Sequence, residues 1–199
     1  MQFDLKHILE GVLSMAMDNF KEEIVVRRHN GFANFTYYLA WTMMILFGVI
    51  GIFMLQAVLN TIGSGAFAWG SLIIAIVLIA FAALLWIKKD GLRVEYEYTF
   101  TNGVLDVSMV LNNAKRRYLS EINMKIVDSI GSVNHPSFKR YLNDKTIKRH
   151  NWFLNRDANL TYIYFTKNGV RHLAIIEPSQ EMLNMINSRG YLNFGVWQG

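Results

Sequence analysis

From residue 31 to residue 87 the chain contains no aspartate, glutamate, lysine or arginine. Few soluble folds accommodate such a stretch, because amphipathic helices and half-wet strands both present charge to water. The block divides into two apolar segments, 32–59 and 66–87, separated by NTIGSG at 60–65, a turn composition. A hydrocarbon core takes roughly 20 apolar residues as helix, so each segment is long enough to span it. Tyr37, Tyr38 and Trp41 gather at one end of the first segment and Trp86 closes the second. Amphipathic rings favour the headgroup level. The pattern predicts a membrane α-helical hairpin over residues 32–91 rather than two buried helices of a soluble core.

Flanking charge gives the orientation. Lys21, Arg27 and Arg28 precede the first segment, Lys88, Lys89 and Arg93 follow the second, and the connecting loop carries no charge. The positive-inside rule then places both termini in the cytoplasm of a multi-pass protein of the cytoplasmic membrane. No cleaved signal peptide is expected, since the first apolar block begins past residue 30. The spans hold no ionisable residue, so proton relay or ion transport has no support there. Gly48, Gly51, Ser71 and Ala75 are the positions at which the two helices have room to approach closely.

Residues 1–31 read as an N-terminal amphipathic helix with a basic flank. Leu5, Ile8, Leu9, Val12, Leu13, Ala16 and Phe20 recur at helical spacing, with Lys6, His7, Glu10 and Ser14 opposite. Its acidic polar side differs from that of most interfacial helices. Packing against protein is therefore the expectation.

After residue 92 the pattern changes to short strands. VEYEYTFTNGVLDV at 94–107 reads as a hairpin, because Asn102-Gly103 suits a type I′ turn with positive φ at both central positions. Tyr96, Tyr98, Phe100, Leu105, Val107 and Met109 then share one face, while Glu95, Glu97, Thr99, Asp106 and Ser108 form the wet one. A second hairpin, LTYIYFTKNGVRHLAII, turns at Asn168-Gly169. KRRYLSEI and MKIVDSIGSV read as further strands, and NWFL as a candidate fifth. Residues 134–155 otherwise carry no clear pattern. Pro178 and Ser179 start a helix with Glu181 in its first turn, an apolar stripe of Met182, Leu183 and Ile186, and Arg189-Gly190 at its end. The expected fold class is thus a membrane helical hairpin plus a mainly-β domain. That domain, residues 92–190, is expected as a partly open barrel of about seven antiparallel strands closed by a C-terminal helix, with residues 191–199 as a tail.

This order resembles the pleckstrin-homology-like fold in its bacterial form. EYEYTFTNGVLDVSMVLNNAKRRYLSEI after a two-span hairpin, with EPSQEML opening the last helix, is similar to a family of small bacterial membrane proteins of uncharacterised function. The resemblance implies the fold and a membrane location, and no reaction. Phosphoinositide-binding relatives of the fold carry basic residues around the first hairpin loop. Here that loop is the bare Thr101-Asn102-Gly103 turn behind Glu95 and Glu97, so headgroup-specific recognition is not implied.

Composition is 52% hydrophobic and 18% charged, with a formal net charge of +5. Cysteine is absent, which excludes disulfides, thiol catalysis and cysteine-ligated metal. The basic clusters Lys115-Arg116-Arg117, Lys139-Arg140 and Lys148-Arg149 are the candidate lipid- or partner-binding residues. Near an anionic leaflet each such residue adds about 1 kcal/mol. A solvated basic face is the competing reading, and no nucleic-acid motif accompanies the clusters. His135, His150 and His172 match no metal-ligand spacing and read as surface histidines. No nucleophile elbow or phosphate loop occurs, so no enzyme activity and no cofactor are expected. The sequence points to a membrane-tethered binding module. Its expected partners are the bilayer, anionic headgroups, an unidentified protein or a second copy of the chain. The alternative is a structural subunit of a larger membrane assembly or transporter.

Overall fold

The computed structural model describes residues 19–62, 68–188 and 190–198, so the segment read as an N-terminal amphipathic helix lies outside the described residues up to position 18. The chain forms two units. One comprises Arg27–Glu95 with Val110–Arg116; the other takes in residues 19–26, Tyr96–Met109 and residues 117 onward.

The first unit is built on helices α1, Gly31–Ile62, and α2, Trp69–Lys88. Both are long and apolar enough to cross a membrane. The sequence places the first segment's end at residue 59, but helix continues through Asn60 to Ile62. Besides Ala33 near its start, the buried residues of α1 fall at Tyr37, Met44, Gly51 and Val58. That seven-residue repeat keeps one seam facing the partner helix. Ala75 of α2 is fully buried, and a Cβ on Gly51 would lie 3.5 Å from its carbonyl oxygen. Among the four expected small residues, Gly51 and Ala75 make the close approach, while Gly48 faces open space. Trp41 packs edge-on against Trp86, and Phe47 against Phe81, each with ring centroids 6.3 Å apart. Away from the seam, large apolar side chains such as Phe32, Phe53 and Trp69 are exposed.

The second unit contains two sheets, and no barrel closes among its described residues. Strands β1 (Phe20–Val25), β2 (Val94–Thr101), β3 (Val104–Leu111) and β4 (Lys115–Asn123) form a four-stranded sheet in sequence order. Strand β1 has no counterpart in the sequence reading, which gives these residues to a helix end and a basic flank. It pairs antiparallel with β2, Phe20 opposite Thr101 through Val25 opposite Tyr96. The remaining strands are β5 (Val127–Ser132), β6 (Lys148–Trp152), β7 (Thr161–Lys167), β8 (Val170–Ile176) and β9 (Trp197–Gln198), in the order β6-β8-β7-β5-β9. All-antiparallel pairing is corrected at two edges: β6 runs parallel to β8, and β9 parallel to β5. The hairpin partner β7 already occupies one side of β8, so the chain must cross over in residues 153–160 to place β6 on the other.

Both Asn-Gly turns form as expected, with φ of 48° and 90° at Asn102 and Gly103 and of 53° and 76° at Asn168 and Gly169. Tyr98, Phe100, Leu105 and Val107 are fully buried in one core with Ile122, Ile163, Phe165, Ala174 and Ile176. The wet face of the first hairpin needs one correction. Glu97 is only 3% exposed, on an interior strand with β1 and β3 on either side.

Side chains alternating along β7 and β8 divide between two cores. Tyr162 and Leu173 point away from the main core into a second one with Ile147. It is covered by helix α3 (Pro136–Asn143), whose Phe138 and Tyr141 pack against it. This helix fills much of the stretch the sequence left unassigned. His135 caps it through Nδ1, accepting from the Ser137 amide, and Pro136 occupies the first turn. Burial on both faces explains why β7 and β8 read as near-continuous apolar runs.

Helix α4 (Gln180–Ile186) begins at Ser179, whose Oγ accepts from the Met182 amide at 3.1 Å. It inserts Met182 and Ile186 into the main core and ends four residues before Gly190. Strand β1 ties this helix down: Glu23 accepts from the Ser179 amide, and Lys21 pairs with Glu181. Residues 191–198 are not a free tail, since Tyr191, Leu192, Val196 and Trp197 pack on the same core.

Candidate lipid interface

Within the helical unit, α2 leads straight into a 3₁₀ turn, Lys89–Leu92, that carries a charged cluster. Asp90 is 8% exposed. Its Oδ1 accepts from Lys89 Nζ at 3.0 Å and from Asn112 Nδ2 at 3.2 Å, and its Oδ2 lies 3.4 Å from Lys115 Nζ. The Lys89 hydrogen bond, then that of Lys115, hold the carboxyl below its ordinary range against the opposing effect of burial. Lys89 also sits over the rings of Trp41 and Trp86, 5.4 and 5.0 Å from their centroids. Trp41 Nε1 donates to the Tyr37 hydroxyl at 3.1 Å.

The β3–β4 turn completes the cluster. Asn112 and Asn113 have φ of 51° and 53°, a region asparagine tolerates better than most residues. The Asn112 amide nitrogen donates to the Arg93 carbonyl at 2.7 Å, and its side chain reaches Tyr37 as well as Asp90. With its nitrogen turned toward Glu95, the Asn113 amide lies 2.9 Å from both carboxylate oxygens. The Arg93 guanidinium stacks 3.9 Å from the Tyr37 ring centroid and 5.1 Å from that of Tyr38.

The sequence-predicted basic residues separate. Lys115 and Arg116 belong to the helical unit, with Lys115 in the Asp90 pair, whereas Arg117 belongs to the strand unit. Lys139 and Arg140 lie exposed on α3, with Arg140 5.4 Å from the Tyr141 ring. Lys148 and Arg149 point to opposite faces of β6. Arg149 sits opposite Leu173 and so shares the α3 side; Lys148 sits opposite His172 on the other. Lys148 and Arg149, adjacent in sequence, therefore do not share a face of the sheet. Sequence reasoning missed Asp90, Arg93 and Asn112 as a group. Their visible signal is a Lys-Lys-Asp run directly after an apolar span and an Asn-Asn pair suited to positive φ.

His150 and His172 are not simple surface histidines. His150 Nε2 lies 2.9 Å from His172 Nδ1, and the two rings stack between Trp152 and Phe165. Among the described residues, no group of three or more metal-ligating side chains comes together.

Net charge follows the division into units. The helical unit holds Arg27, Arg28, Lys88, Lys89, Arg93, Lys115 and Arg116 against Asp90 and Glu95, a net +5 equal to that of the whole chain. The rest of the chain is balanced. None of these seven cations lies between Gly31 and Ile87; all sit at or beyond the ends of the apolar segments that lie opposite the connecting loop.

A family model described as bacterial PH-like domain (DUF6106) matches residues 17–190. No curated protein and no solved structure matches the chain.

Proposed function

The chain belongs to the family of bacterial PH-like domains, and on that premise we propose that it is a membrane-tethered binding module without catalytic activity. In this reading α1 and α2 span the cytoplasmic membrane, both termini face the cytoplasm, and α4 covers the open end of the PH-like strand unit. The charge distribution carries the reading. Unpaired anionic lipid on the cytoplasmic leaflet attracts clustered Lys and Arg, and the helical unit alone carries the chain's net +5. Tyr37, Tyr38, Trp41 and Trp86 accompany those cations, as an interfacial aromatic belt would. The strand unit, with a balanced charge, is the part that recruits a protein, and Lys139, Arg140 and Arg149 on the α3 side of its sheet are the contact residues proposed for an acidic partner. The tether makes a weak contact sufficient, because it keeps the module at high local concentration near the surface.

Reporter fusions at residue 63 and after the last residue test the topology. The expected outcome is a cytoplasm-active reporter at the end of the chain and an exterior-active one at residue 63. An exterior-active reporter after the last residue overturns the reading. Recovery of the chain in a stable complex with other membrane-spanning proteins would replace it with that of a structural subunit.

A further inference from the structure

We propose that Arg93 is the anchoring residue of a phosphate-binding seat at the base of the helical hairpin, and that its occupant is the phosphodiester of an anionic phospholipid. The proposal rests on the membrane reading above and names a ligand group for it. Asp90 is engaged by Lys89, Lys115 and Asn112, and Glu95 faces Asn113. No carboxylate among the described residues pairs with Arg93, and its buried Nε has no hydrogen-bond partner. A half-buried guanidinium held on two tyrosine faces without a counter-ion is an incomplete arrangement.

The guanidinium fork matches a phosphate's geometry, since it donates two parallel hydrogen bonds to a pair of oxygens. Tyr37 and Tyr38 fix its plane. Lys89 and Lys115 outnumber the one carboxylate they share, so the surroundings keep an excess of positive charge. The flanking Trp41 and Trp86 rings supply apolar faces for the first carbons of an acyl chain. A free inorganic phosphate offers the same oxygens but nothing for those rings, which favours the lipid as source.

Thermal melts of the full chain in detergent test the seat, with short-chain phosphatidylglycerol, short-chain phosphatidylcholine or inorganic phosphate added in turn. The expected result is a rise in Tm with phosphatidylglycerol that needs about tenfold more lipid in Arg93→Gln, the loss of a charge-assisted contact. Arg93→Lys, which keeps the charge but not the fork, falls between the two. The Lys145→Ala/Arg156→Ala double variant, at two exposed cations outside the helical unit, responds as wild type. Circular dichroism checks that each variant is folded; if Arg93→Gln is not, a wild-type response from Arg93→Lys overturns the proposal. An undiminished response of Arg93→Gln also overturns it, as does an equal response to phosphatidylcholine. An equal response to inorganic phosphate overturns the lipid as source. Release of the chain from membranes by alkaline carbonate defeats the membrane reading itself, whereas retention with an unaffected Arg93→Gln defeats the seat alone.

Discussion

The side-chain nitrogen of Asn112 lies 3.2 Å from the hydroxyl of Tyr37, 75 residues earlier in the chain. One asparagine thereby links a strand turn to the first apolar helix, and its second contact, to Asp90, extends the link to the end of the other helix. Its positive φ of 51° adds a backbone demand. Asn112→Ala loses both side-chain bonds and meets that demand poorly, at a cost of about 2–3 kcal/mol. Asn112→Gly keeps the backbone freedom and costs about 1 kcal/mol less. Melts of the full chain in detergent separate the two contributions. Equal loss in both variants would show that the backbone conformation matters little.

The helix seam predicts a contrast between two glycines. A Cβ at Gly51 would come within 2.8 Å of Ile79 Cγ1, while one at Gly48 meets nothing within 4 Å. Gly51→Ala should destabilise the hairpin by about 1–2 kcal/mol through overpacking. Gly48→Ala should be neutral or stabilise it by up to about 1 kcal/mol, because alanine restricts the unfolded chain. The same detergent melts decide, and a reversed order would remove Gly51 from the seam.

The two Asn-Gly turns look alike in sequence but differ in what surrounds them. At Gly103 a Cβ would meet the Tyr191 ring at 2.6 Å, whereas Gly169 has open space. Tyr191 packs against Phe100 at 5.5 Å between ring centroids, so the ring cannot easily withdraw. Gly169→Ala should cost about 1 kcal/mol for the left-handed backbone alone. Gly103→Ala should cost about 1–3 kcal/mol more. Chemical denaturation followed at the strand signal in circular dichroism provides the comparison.

The His150–His172 pair predicts a pH dependence. Burial pushes both histidines below their ordinary 6.5, assisted at His150 by His172 and Lys148 and at His172 by Lys148 and Lys167. The folded state therefore binds fewer protons than the unfolded one between the lowered values and about 6.5. Stability should be full above that range and fall as pH drops through it. Replacing both residues with glutamine should flatten the profile below the ordinary histidine value of about 6.5, and a profile unchanged in that variant would show that the pair does not titrate on unfolding.

How far the sequence could lead depended on the range of the forces involved. The apolar helices, both Asn-Gly turns and the Ser179 cap arise from interactions within a few residues, and each is where local pattern places it. Strand β1 was not visible. Phe20 and Ile24 are exposed while Lys21 and Glu23 turn toward α4, so the alternation is the reverse of a half-buried strand's, and only pairing with β2 makes those residues a strand. Helix α3 was hidden for a related reason: its apolar residues, Phe138 and Tyr141, are too few to reveal a period without the sheet face they cover.

The sequence by itself determined where charge is forbidden, where the chain turns and that the whole carries a net +5. It could not determine which charges meet. Lys115, Arg116 and Arg117 are consecutive, yet Lys115 closes on Asp90 in the helical unit while Arg117 belongs to the strand unit. Lys148 and Arg149 likewise part to opposite faces of one strand. Local propensity acts along the chain, but electrostatic grouping depends on distances across space, which strand register and helix packing set. The tertiary structure alone brought Asp90, Arg93 and Asn112 together with Tyr37, and so decided where a basic, aromatic-lined surface exists on this protein.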